Sequence, residues 1–535
     1  MNQSKTTPYK KPLGMLKLSL FGFLTTLALL LTNFPTWGWP GGDGWDYANI
    51  TEAIVEGGTL DLRYATRTQR GTDDKTVIRA QDGSVYSVFP IGKSIVQVPA
   101  LYLARELTRD SNDRVERMVA DNLAFSVTSA VLYGISGVLL FTLLNSILAF
   151  SWPVSLMGTG LYCFATLGFV FSKMHAVENL QIVLLMGLVV AGLRSSGWSL
   201  PAVCLCFGWL VVSKPPSAVA LPVFLYLVYS GRLWQLSNWN QRALAILVAV
   251  GCACLLFYYN WLRSGHMDAA YGVDNYASNT EFSLANILPT LYPLLIGPER
   301  NIFLNNSVLI FSLIGIFTLG DRRYLITSMG LWITMLLLYG ASGNSNWGAY
   351  VGNARYTVPF LFLLVPFAVS AIVASYSRTT GWMRAGFVSA SIMLVLSSLY
   401  VQLLYASFSE FHVKQFESRF NQAAVQYKVP EIDIAKHQLL FAHELFWRTD
   451  SCRKPVEAKP FAYPSSDLRT STFSLEVLKT FDSRWFCKDW LFWNTSQFST
   501  LNWLSNLRVS IFVFFCLALT FLAENCRRLY LRLLR

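Results

Sequence analysis

Stretches of about twenty apolar residues recur along this chain, and each is long enough to cross a bilayer as a helix. No other feature restricts the fold so severely. Inside lipid a backbone must satisfy its own hydrogen bonds, which favours helices wherever such runs occur. The runs centre near residues 16–37, 122–144, 152–172, 178–193, 200–212, 217–229, 243–261, 303–319, 324–339, 357–376, 386–405 and 509–522. The expectation is therefore an all-α polytopic membrane protein of about 12 transmembrane helices. The fifth and sixth runs are short and read equally well as one broken unit. Composition agrees: 53% of residues are hydrophobic and 14% charged, against about 25% charged in an ordinary soluble domain. The first run follows basic residues but is long and lacks a small-residue cleavage site. It reads as a retained helix and not a cleaved signal peptide.

The net charge of +12 invites a nucleic-acid reading, but its placement argues for topology instead. Lys5, Lys10, Lys11 and Lys17 come before or at the start of the first run. Arg194, Arg232, Arg242, Arg322, Arg323, Arg378 and Arg384 fall in alternate short connections, and Arg527, Arg528, Arg532 and Arg535 follow the last run. All lie on one side of a twelve-span chain. By the positive-inside rule that side is cytoplasmic, with both termini, in a plasma (inner) membrane. No nucleic-acid partner is needed. The division that follows is a transmembrane catalytic module over 1–405, a small outward soluble region over 406–507, and a last helix with a basic tail over 508–535. The soluble region carries Trp447, Trp485, Trp490 and Trp493, enough aromatic surface for a packed unit.

Seven of the nine cysteines lie in or beside apolar runs, where core packing explains them. The pairs Cys204/Cys206 and Cys252/Cys254 have the wrong spacing to share a helix face. Cys452 and Cys487 are the two in an outward segment, where a disulfide is permitted. No Walker loop, Rossmann glycine fingerprint or HExxH motif occurs.

Polar residues of interest gather at outward ends. Gly41-Gly42-Asp43-Gly44-Trp45-Asp46-Tyr47-Ala48 follows the first run directly. It places Asp43 and Asp46 where a membrane helix leaves the lipid, a costly position for an acid without work to do. The spacing of Tyr47, Ile50, Ala53 and Ile54 predicts an amphipathic surface helix, with Glu52 and Glu56 on another face. A hairpin is expected about Asp82-Gly83. A second surface helix begins at Phe89-Pro90-Ile91-Gly92-Lys93-Ser94, where a helix N-terminus and a lysine together suit an anion; a snorkelling Lys93 is the plainer reading. Lys173 to Glu178 form a tight turn in which His175 and Glu178 suit a metal or a phosphate, or serve only as an interfacial turn. Lys214-Pro215-Pro216 breaks a helix beside a lysine. In the third outward segment stand His266 and, at re-entry, Glu299 and Arg300. Arg355 opens an apolar run on the side opposite the basic loops, which runs against topology and points to function.

In this order the motifs resemble the GT-C superfamily of polyprenyl-phosphate-sugar-dependent glycosyltransferases, such as protein O-mannosyltransferases and lipid A aminoarabinose transferases. The residues concerned are Asp43 with Tyr47-Ala48 after it, the Phe-Pro-Ile-Gly-Lys-Ser helix, the re-entry at Arg300, and Trp347-Gly348 with Gly352-Asn353-Ala354-Arg355-Tyr356. The resemblance covers about 16–376. Family members open their first outer loop with Asp-Glu. Here Asp43 matches the first acid and Gly44 stands at the second, so Asp46 is the candidate replacement. The resemblance implies a GT-C-like fold, a polyprenyl-phosphate-linked sugar donor, and a glycan, lipid or protein acceptor. It also implies a phosphate contact from Lys93; by their own placement Arg355, Lys214 and Arg300 are further candidates. The residues suit transfer with inversion: Asp43 as general base, Asp46 as helper or metal ligand, and cations stabilising the departing phosphate. A divalent metal is compatible with that chemistry but not required by it. Two rivals remain from the sequence: a flippase or transporter of lipid-linked glycan, and an O-antigen ligase or polymerase using diphosphate-linked glycan.

Overall fold

The computed structural model describes residues 15–32, 43–65, 77–80, 82–111, 114–265, 283–297, 301–341 and 355–406. The region over 406–507 that the sequence assigns outward, apart from Ala406 itself, lies outside the described residues, as do the final run, the basic tail, Cys452 and Cys487.

The chain opens with α1 (Met15–Thr32) and α2 (Asp43–Gly57), then an antiparallel hairpin of β1 (Val77–Arg79) and β2 (Val85–Ser87). Asp82-Gly83 sits in the connection between the strands, as the dipeptide predicts. α3 (Gly92–Leu107) and α4 (Arg114–Thr142) follow, α4 running on through a π turn, Leu143–Ile147. Next come α5 (Trp152–Ala165), α6 (Gly168–Phe171), α7 (Glu178–Arg194) and α8 (Ser199–Ser213). A 3-10 segment, Pro215–Ala220, leads into α9 (Leu221–Ser230), α10 (Leu233–Leu236) and α11 (Trp239–Ser264). The rest is α12 (Ile287–Leu295), α13 (Ile302–Asn305), α14 (Ser312–Thr318), α15 (Arg322–Ala341), α16 (Val365–Arg378) and α17 (Gly381–Ala406).

Four helices among the described residues are long and apolar enough to cross a membrane: Ala120–Ile147, Trp239–Ser264, Arg322–Ala341 and Gly381–Ala406. A fifth is the bent pair Arg355–Leu363 and Val365–Arg378, angled at 47°. Pro359 within the pair and Pro366 at its joint remove backbone donors, a sufficient cause for the bend. Other expected runs are shorter apolar helices: Leu20–Leu29, Ser199–Ser213, Pro215–Ser230 and Ser307–Thr318. The expected break at Lys214-Pro215-Pro216 is present. One apolar helix, α12, stands where the sequence suggested only an outward loop. Its nine residues with Pro289 and Pro293 are too few to announce a span, yet Thr290 and Leu294 are buried.

Lipid-facing surface is evident on α11, where Leu244, Ile246, Leu247, Val250 and Phe257 are all exposed. Water-soluble proteins rarely leave such a stripe open. The interior is packed around aromatic residues, including Tyr133, Tyr162, Phe169, Phe171, Phe362 and Phe367. Membrane helices gain little from excluding water, so close contact decides their association. At Gly315 of α14 a Cβ would lie 2.7 Å from the Phe367 Cα of α16; only glycine lets these two backbones meet.

α2 departs from the one-sided surface helix that its spacing suggests. Trp45 through Ala53 are all buried, on every face of the helix. Ile50 packs with Val85, Ile91, Val212 and Tyr259, while Ala48 packs with Leu101 and Phe125. Glu52, expected on a polar face, is buried and paired with Arg105 at 2.9 Å. Arg105 also pairs with Glu56 and, at 2.9 Å, with Asp121. One guanidinium thus ties α2, α3 and α4 together.

Candidate active site

Five elements bring their ends to one place: α2, α3, the turn before α7, the Lys214 break and the start of the 355–363 segment. The join between α2 and α3 is made of hydrogen bonds. Ser94 Oγ donates to the Tyr47 carbonyl at 2.9 Å, and Thr51 Oγ1 donates to Gln97 Oε1 at 3.2 Å. The residue beside Ser94 is Lys93, so the lysine is carried next to the turn of helix that bears Asp46. Gly92 permits this seat. A Cβ there would lie 2.8 Å from the Ser213 Cα, at the end of α8. Gly92-Lys93 and Ser213-Lys214 therefore touch backbone to backbone.

Lys93 does not snorkel. It is wholly buried, and its Nζ has no hydrogen-bond partner among the described residues. Burial pulls its pKa down to about 7, an effect partly opposed by the Glu178 carboxylate. Glu178, at 1% exposure, opens α7 and is the shared anion of the cluster. Its Oε1 accepts from Arg355 Nε at 2.9 Å and lies 3.8 Å from Lys214 Nζ. Its Oε2 is buried with no hydrogen-bond partner among the described residues. Lys214 is further held over two stacked rings, Tyr356 at 4.6 Å and Tyr339 at 5.4 Å.

His175 is buried and stacks on Phe125 with ring centroids 4.6 Å apart. Burial, and then the charge of Lys93, push its pKa well below the usual histidine range, so the ring is neutral. The Gly44 carbonyl is near enough to favour its protonated form, yet neither ring nitrogen makes a hydrogen bond of good geometry. That proximity places the start of α2 beside the turn. Asn179 fixes the turn by donating to the Phe171 and Met174 carbonyls at 2.8 and 3.0 Å.

Asp46 is 8% exposed and close enough to the Tyr259 hydroxyl to act on it electrostatically, as does Arg263. Arg263 is buried. It donates through Nη2 to Asn260 Oδ1 at 2.9 Å and stacks over Tyr259. Asp43 begins α2 as a helical residue; its side chain, with Arg300 and His266, lies outside the described residues.

Lys93, Lys214, Arg355, Glu178 and His175, chosen from sequence, thus form one cluster, and Asp46 lies on the adjoining helix. Two arginines were missed. Arg263 ends a membrane helix on the side away from the basic loops, the same signal that picked out Arg355. Arg105 was announced only by the acids Glu52 and Glu56, one turn apart. No group of three or more His, Cys, Asp or Glu side chains gathers among the described residues, and Glu178 is already faced by cations. The arrangement can hold an anion: Lys214 and Arg355 meet at Glu178 with Lys93 facing the same carboxylate, and Lys93 Nζ has no hydrogen-bond partner among the described residues. Unsatisfied buried groups of this kind carry a penalty that a ligand removes.

No family model and no curated protein matches the chain. Among solved structures, it is similar to ArnT from Cupriavidus metallidurans bound to undecaprenyl phosphate. Identity is 13% over 74% of this chain and 76% of that one, with a TM-score of 0.44. The apo form of the same protein gives 14%, 73%, 74% and 0.44. Archaeal oligosaccharyltransferase AglB from Archaeoglobus fulgidus, in complex with an inhibitory peptide and a dolichol-phosphate, gives 10%, 78%, 60% and 0.39. Likeness at that distance assigns neither family nor activity.

Proposed function

We propose that this protein is a membrane glycosyltransferase of GT-C type, moving a sugar from a polyprenyl-phosphate donor to an acceptor hydroxyl at the outer face of a plasma membrane. The observation that carries this reading is the buried cluster of Lys93, Lys214 and Arg355 about Glu178, beside the acid-bearing start of α2. A lipid-borne phosphate needs cations at a membrane helix end, and they are here. In the reaction, the Asp43 carboxylate takes the proton of the acceptor hydroxyl. The acceptor oxygen then bonds to the anomeric carbon, and the carbon–oxygen bond to phosphate breaks on the opposite face. Its electron pair goes to the phosphate oxygen, where Lys93, Arg355 and Lys214 meet the developing charge. The anomeric centre inverts. Asp46, near Tyr259 and Arg263, has the supporting role of positioning α2 and the donor. No step is routed through a metal.

The test is turnover of a panel of polyprenyl-phosphate sugars by purified protein, read by mass spectrometry. Asp43→Asn should lower kcat by about 10²–10⁴-fold with donor binding retained. Asp46→Asn should raise the donor KM more than it lowers kcat. Full activity of both variants would remove the mechanism.

A further inference from the structure

Glu178 poses a problem for any anion site. A carboxylate in the midst of a phosphate's cations competes with the phosphate, yet this one is buried deeply and held by two of the three cations. If the pocket needed only the greatest attraction for anions, a glutamine here would serve better. A glutamine could still accept the Arg355 hydrogen bond and would leave one more positive charge for the ligand.

We infer that Glu178 is a specificity-determining residue, a resident carboxylate that limits the charge the pocket accepts, so that a carrier lipid bearing one phosphate is taken and one bearing a diphosphate is refused. The inference rests on the lipid-phosphate reading above. Among the described side chains of the cluster, three cations face one carboxylate, which leaves at most two positive charges unmatched. A polyprenyl phosphate, a dianion after transfer, matches that number; its sugar diester, a monoanion, falls within it. A polyprenyl diphosphate carries up to three negative charges, and its surplus would stand beside the unpaired Oε2 of Glu178. Buried charges are poorly screened, so a like-charge juxtaposition here is felt strongly. The cations cannot readily move to relieve it. Arg355 is committed to Oε1 at 2.9 Å, and Lys214 is held over the stacked Tyr339 and Tyr356 rings.

The plainer account is that Glu178 merely neutralises its neighbours during folding. In that case its loss would weaken or strengthen every anionic lipid alike. The ratio of two affinities separates the accounts, because general damage to the pocket cancels from it. The experiment measures Kd for undecaprenyl phosphate and for undecaprenyl diphosphate in detergent with the full chain. The wild type should prefer the monophosphate by at least about tenfold. Glu178→Gln should abolish most of that preference by gaining diphosphate affinity, and Glu178→Asp should keep it. Lys214→Met removes a positive charge and should widen the preference; it serves alone if Glu178→Gln fails to fold. A ratio unmoved by the charge-changing variants would overturn the inference and leave the donor reading standing. Binding of neither lipid by the wild type would overturn both.

Discussion

Lys93 is where burial and chemistry conflict most. Its ordinary pKa is 10.5, and the folded protein lowers it to about 7. Between those values the unfolded chain holds this proton more tightly than the folded one. The lysine therefore lowers folded-state stability at neutral pH, and that cost fades as pH rises towards 10.5. Ligand binding should follow the opposite trend, since a phosphate wants the ammonium form. The Kd for undecaprenyl phosphate should rise between pH 7 and 9, by up to about tenfold per pH unit. A phosphomonoester has its second pKa at about 6 and is fully ionised in that window. His175 is neutral throughout, its pKa being held well below 6.5, so neither accounts for the slope. Lys93→Arg, always charged, should flatten the profile. An unchanged slope in that variant would remove Lys93 as the titrating group.

The junctions between elements carry two further predictions. Gly92→Ala would force a Cβ against the Ser213 backbone, and moving α3 by even a fraction of an ångström moves Lys93. Turnover should fall by roughly 10²-fold, the scale of a small misplacement of a charged group. Ser213→Ala should not rescue it, because the clash is with the Cα as well as the hydroxyl. Arg105→Ala would leave Glu52 and Asp121 buried without their cation. Such a loss typically costs about 3–5 kcal/mol, so the melting temperature should drop sharply, with activity lost only as folding is lost. A variant of normal stability and low kcat would instead place Arg105 in the chemistry.

How far these elements could be read in advance depended on their surroundings. The hairpin at Asp82-Gly83, the starts of α2 and α3, and the break after Lys214 all follow from local chemistry, and the sequence displays it. α2 reads as a one-sided surface helix because its periodicity is that of an amphipath. Its polar positions Asp46, Thr51 and Glu52 turn inward to partners on α3 and the end of α11, more than forty residues away. The same distance hid Arg105. The residues that come together in the cluster can each be singled out from charges at helix ends away from the basic connections, but their shared centre cannot. Nothing local in Lys173 to Glu178 says that Glu178 will be shared by Lys214 and Arg355.

The whole molecule has two chemically different ends, and α7 connects them. It begins at Glu178, in the cluster, and ends at Arg194, 17 residues in all, or about 25 Å along the axis. Around its far end the basic connections assemble. Arg323 donates to Ser195 Oγ at 3.0 Å and to the Gly192 carbonyl at 3.1 Å. Ser237, in the connection between Arg232 and Arg242, donates to the Gly197 carbonyl at 2.9 Å. Arg194, Arg232, Arg242, Arg322 and Arg323 thus belong to one end, while Lys93, Lys214 and Arg355 belong to the other. If the arginine end is cytoplasmic, as the positive-inside rule requires, the cluster opens to the outer face. Two exposed positions test this in a cysteine-free background. Gly320→Cys sits in open space beside Arg322 and Arg323. Arg109→Cys lies just past the end of α3, where the side chain is exposed. A membrane-impermeant thiol reagent should label position 109 in intact cells and position 320 only after permeabilisation. The reverse pattern would turn the molecule over, putting the anion cluster in the cytoplasm. It would end the outer-face reading while leaving the packing of every helix as it is.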